Sequence, residues 1–121
     1  MTAHALTDSD ADPRHQVWDA KRLASLLADV GETGLRDILR LFMADLPHLQ
    51  RQLAAAIAEG RPQAALAVLA VVQDSAEALG LGALAALTRS LRGDPLASAI
   101  PDLLAEEAAR IRFVPSLKHA S

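Results

Sequence analysis

The chain has 121 residues, 12 lysines and arginines against 15 aspartates and glutamates, a net charge of −3, and no cysteine. That length suits one domain with a single core. Disulfides and thiolate metal sites are excluded, a reducing cytoplasm is the expected compartment, and the scattered cations form no stripe for nucleic acid.

Residues 1–16, MTAHALTDSDADPRHQ, include Asp8, Asp10 and Asp12 and no apolar core, the opposite of a secretory signal. They read as a disordered, solvated acidic tail. From Val17 onward apolar residues recur at helical spacing, while β-branched residues never alternate over a useful length. A first helix is expected from Asp19, a suitable N-cap, through Leu23, Leu26, Leu27 and Val30 to Gly31, with Thr33 restarting the chain. The second runs from about Gly34 to Glu59, with Leu35, Leu39, Phe42, Leu46, Leu49, Leu53 and Ala56 at alternating spacings of four and three. Pro47 removes one backbone donor inside it, so a kink is expected around Met43 to Pro47.

Gly60 ends the second helix, and the third starts near Pro62, burying Ala65, Leu69, Val72, Ala76 and Leu79 before Gly80. Leu66, Ala70, Gln73, Asp74 and Glu77 are left on its outer face. A shorter fourth helix spans about Gly82 to Arg92 on Leu84, Leu87 and Leu91, and the Gly93 to Pro95 triplet breaks it. The last helix is expected from about Pro101 to Val114, with Leu104, Ala108 and Ile111 inward. Short connections between amphipathic helices favour antiparallel neighbours. The expected fold is all-α, an up-and-down antiparallel four-helix bundle with one additional N-terminal helix, over 17–114, followed by a C-terminal tail at 115–121. The longest apolar run, Ala64 to Val72, is far below the roughly 20 residues of a membrane span, so a soluble protein is expected.

The run from Leu41 to Gly93, LFMADLPHLQRQLAAAIAEGRPQAALAVLAVVQDSAEALGLGALAALTRSLRG, resembles the histidine-containing phosphotransfer (HPt) domain of bacterial phosphorelays. Phe42 and Pro47, Ala55 and Gly60, Ser75 and Ala76, Leu79 and Gly80, and the following LAALTRSL fall in register without a gap. The resemblance covers about Val17 to Val114. Members of the family carry a His-x-x-Lys-Gly-Ser motif on the third helix. Here the histidine position holds Ala70, the lysine Gln73, the glycine Asp74 and the serine Ser75. The resemblance implies the bundle and a partner class, a histidine kinase or a response-regulator receiver domain, while the departures remove the family's chemistry.

The loss also follows from the chemistry of these side chains alone. Phosphoryl transfer through a protein needs a nucleophile that can hold the group, and the methyl of Ala70 cannot. Gln73 brings no cation to offset the phosphoryl charge. Asp74, about 6 Å along the helix, would repel that group by about 1 to 3 kcal/mol per charge. It also adds a side chain where glycine would let a partner's backbone approach closely.

The outer face of the third helix has Leu66, Ala67, Ala70 and Val71 at its centre and Gln63, Gln73, Asp74 and Glu77 at its rim. Apolar groups with a polar rim read either as a partner-binding patch or as the edge of a wide buried stripe. His48, with Arg51 and Gln52 on its helix face, is a displaced phospho-acceptor or an ordinary solvent-facing histidine. His4, His15 and His119 fall in tails and offer no metal-ligand spacing. Asp102, Glu106 and Glu107 read as a solvated face, with Arg110 as the i,i+4 partner of Glu106, and Trp18 as an anchor for the N-terminal helix. No convergent set of titratable groups suggests an enzyme or a cofactor site. The expectation is a monomeric, non-phosphorylatable relay-type protein that regulates by binding. An active phosphotransfer protein using His48 and a helical dimerisation module are the alternatives.

Overall fold

In the computed structural model, which describes residues 17–111, Asp19 opens the first helix as its position in the sequence predicts. Its Oδ1 accepts hydrogen bonds from the backbone N–H groups of Lys21 (3.1 Å) and Arg22 (3.3 Å), two of the donors a helix N-terminus leaves open. Four helices follow among the described residues: α1 (Ala20–Ala58), α2 (Pro62–Leu79), α3 (Gly82–Leu91) and α4 (Ile100–Ala109). Each packs on its neighbour in the chain and α4 returns to α1, while neither diagonal pair meets. Leu35, Leu53, Leu69, Leu81, Leu84, Ile100 and Leu104 fill the centre, each at most 1% exposed. Burial of a leucine to that degree contributes about 1.5–3 kcal/mol relative to exposure.

Two elements expected to be separate join directly. No loop lies between the helix begun at Asp19 and the one expected from Gly34; Thr33 is inside α1, and Gly31 alone leaves helical dihedrals, at φ 75° and ψ 172°. That is not the left-handed cap expected there but a region essentially confined to glycine. Two helical segments meet there across a kink, with no loop between them. Leu26 from before the break and Ile38 and Phe42 from after it consequently line one groove against Ser75, Ala78 and Leu79 of α2.

Further expectations are corrected by the packing. The chain keeps helical dihedrals through Pro47, and the non-helical residue inside α1 is Gly31. Val30, placed inward by its spacing, is 42% exposed at the last position before the break at Gly31. The last helix ends at Ala109 rather than Val114. Glu107, assigned to a solvated face, is buried at 9% exposure and pairs with Arg110 at 3.1 Å. Its Oε2 has no hydrogen-bond partner among the described residues. The tail at 1–16, residues 112–121 and His4, His15 and His119 lie outside the described residues.

The corner between α2 and α3 fixes the N-terminal end of α1. Gly80 takes φ 76° and ψ 21°, a left-handed cap, and the N–H of Leu81 reaches back to the carbonyl of Ala76 at 2.8 Å. The Asp19 N–H donates to the Gly80 carbonyl at 2.7 Å, and Arg22 Nε donates to the Ala78 carbonyl at 3.1 Å. A β-carbon on Gly80 would lie 3.2 Å from Arg22 Cγ and 3.3 Å from the Leu23 nitrogen, so this seat needs glycine for space as well as for φ.

Candidate protein-interaction site

The α2 helix has two lateral faces with different chemistry. Toward α3 lies a polar clasp: Gln73 Nε2 donates to Glu77 Oε2 at 3.2 Å, Arg89 donates to the same oxygen at 2.8 Å, and Arg92 donates to Gln73 Oε1 at 3.0 Å. Gln73 is 8% exposed, which corrects its assignment to the outer face. Its amide is buried because both ends find charged partners, the usual condition for burying a polar group. The hydrogen bond from Gln73 and then that from Arg89 hold the Glu77 carboxyl below the ordinary glutamate range.

Toward α1, α2 forms two grooves. In one, of about 400 Å³, Ser75 and Ala78 stand opposite Ile38, Phe42 and Asp45. In the other, of about 390 Å³, Ala64, Ala67 and Val68 stand opposite Gln52, Ala55 and Ala56. The two rows run antiparallel, which places Val71 between the grooves. Val71 is 48% exposed, and Ile38 and Leu41 on the flanking helix are 39% and 68% exposed. Exposed large apolar groups spread along one face in this way are a feature of interaction surfaces.

The residues expected at the phosphotransfer position and its docking patch therefore divide. Ala67, Val71 and Asp74 are exposed, Leu66, Ala70 and Ser75 are half-buried, and Gln63 is exposed at the start of α2. Glu77 is exposed but committed to Arg89. Gln73 is withdrawn into the α2–α3 contact. Reading the sequence missed Arg89 and Arg92 in the clasp and Ile38 and Leu41 on the α1 side. The signal for the clasp was the Gln73–Glu77 pair at i,i+4 and the Arg89–Arg92 pair at i,i+3, on helices joined by a two-residue corner.

His48 is exposed, three residues from both Asp45 and Arg51 and four from Gln52, on the stripe of α1 that flanks the grooves. Among the described residues no three or more histidine, aspartate and glutamate side chains group as metal ligands would. No described helix is long and apolar enough to cross a membrane. Ala70 presents only a methyl group, so position 70 itself offers contact and no nucleophile.

Compared with family models, with curated proteins and with solved structures, the chain matches none.

Proposed function

We propose that the chain is a phosphorelay-type signalling module of the HPt kind that carries no phosphoryl group and acts in the cytoplasm by binding. The partner is a histidine kinase, through its dimerisation helices, or a response-regulator receiver domain. The observation that carries the reading is the state of α2 around Ala70. The acceptor position is a methyl and the cation position, Gln73, is closed into the contact with α3, while Val71 beside them remains exposed. Loss of the nucleophile with retention of an apolar surface fits occupancy of a docking face better than transfer of a group.

The mechanism is competition. A partner seated over Val71, Ile38 and Leu41 is withheld from an active relay protein, and flux through the relay falls without any modification of this chain. Asp74, exposed at the end of the patch, selects against a partner that brings its own carboxylates to that spot. The half of the partner class with a cationic or neutral docking ridge is favoured.

The test is a phosphotransfer assay in which the protein is added to phosphorylated kinase and receiver pairs from its own cell. No label on this chain together with altered flux between the others is the expected result. Acid-labile label that disappears in His48→Ala would replace the proposal with a displaced acceptor. No effect on flux and no binding to any kinase or receiver would overturn it.

A further inference from the structure

A cleft of about 500 Å³ opens at the opposite edge of α2, between the start of α1 and the α2–α3 corner, within the range of small-molecule sites. Trp18 forms one wall, Ala76, Gly80, Gly82, Ala85 and Ala86 line it, and Lys21 and Arg89 stand at its margin with Asp19 and Glu77. Formal charge around it sums to zero, but the groups are not equally engaged. Asp19 Oδ1 already accepts two backbone N–H groups, and Glu77 Oε2 accepts from both Gln73 and Arg89. On the cationic side, the Lys21 ammonium has no ion pair among the described residues, and Arg89 uses one of its nitrogens on Glu77.

We propose that this cleft binds a small planar aromatic carboxylate, with its ring against the Trp18 indole and its carboxylate between Lys21 and Arg89. An indole face stabilises a flat ring through offset or edge contacts. A guanidinium with free N–H groups and an unpaired ammonium match a carboxylate by charge-assisted hydrogen bonding. The alanines and glycines lining the cleft leave room for the ring, and the two carboxylates of the lining, Asp19 and Glu77, are already engaged by backbone N–H groups and by Gln73 and Arg89. This site is independent of the binding role assigned to the α1–α2 face, and either can fail alone.

Trp18 is the only tryptophan, so the intrinsic emission of the whole chain reports on this cleft. Titration of the full-length protein with benzoate is expected to change that emission saturably. Benzyl alcohol, which lacks the charge, and acetate, which lacks the ring, should each bind at least about tenfold more weakly, the first for want of a charge-assisted hydrogen bond and the second for want of the buried ring. Lys21→Ala should weaken benzoate by a similar factor; Lys21 is exposed and has no ion-pair partner among the described residues, so their packing does not depend on it. Ala86→Leu, which fills the cleft and keeps both cations, should abolish the response. A linear response without saturation, equal binding of acetate or benzyl alcohol, or undiminished binding in both variants would each overturn the proposal.

Discussion

Gly31 and Glu107 are two positions at which a single side chain decides local stability. At Gly31 a β-carbon would meet nothing within 4 Å, so the cost of Gly31→Ala is purely that of the backbone at φ 75° and ψ 172°. Residues other than glycine are held there at about 1–3 kcal/mol, and thermal unfolding of Gly31→Ala should show a loss of that size with helix content retained. An unchanged midpoint would mean that the chain straightens through this point at no cost. Glu107 predicts the opposite sign. Its Oε2 is buried without a partner among the described residues while Oε1 is spent on Arg110, whose side chain is 44% exposed. Glu107→Met removes the unsatisfied oxygen and keeps the volume, so the protein should gain about 1 kcal/mol. A lower melting temperature in that variant would reveal a partner that offsets the burial.

At the scale of elements, the contact between α2 and α3 combines an apolar seam with the clasp of Gln73, Glu77, Arg89 and Arg92. Because the hydrogen bonds from Gln73 and Arg89 lower the folded-state pKa of Glu77, its contribution is fully present above the ordinary glutamate range. It is lost as pH falls below that range and through the lowered folded value. Wild type should therefore exceed Glu77→Gln in stability at neutral pH, and the two should converge in acid. Paired denaturation curves along a pH series check this; a difference that persists into acid would place its origin elsewhere than in the carboxylate charge. Added salt should narrow the neutral-pH difference, since Arg89 and Glu77 are both largely open to solvent.

For the molecule as a whole, the proposed binding role separates stability from partner recognition. Val71→Asp places a charge on a side chain that is already half in water, so folding stability should change by no more than about 0.5 kcal/mol. The same charge buried under a partner should weaken association by about 30-fold or more, which equilibrium binding to the isolated kinase or receiver would measure. Retained affinity would move the interface away from the α1–α2 face. Restoring chemistry should be harder than removing binding. Ala70→His alone should label poorly because Asp74 repels the phosphoryl group, and adding Asp74→Gly should raise labelling by roughly 5-fold or more, from the electrostatic term alone. Equal labelling of the two variants would show that Asp74 is electrostatically silent at this site.

Helical class, helix order and most of the core were legible because they depend on periodicity within one segment. Leu35, Leu39, Phe42, Leu46 and Leu53 repeat at helical spacing, and Gly60 and Gly80 punctuate the chain where helices end. The absence of a nucleophile at position 70 is likewise a property of the sequence alone. Periodicity could not reveal that Gly31 joins two helices without a loop, that Val30 turns outward, or that Glu107 turns inward. These outcomes depend on the direction in which one segment leaves another and on what then covers it. The same limit applies to Gln73. Its spacing puts it beside the exposed face of α2, but Arg92, nineteen residues away in sequence, draws it into the α2–α3 contact. Sequence determines which face of a helix can be buried; the partner that tertiary structure brings to a long polar side chain decides whether that side chain meets water or another helix.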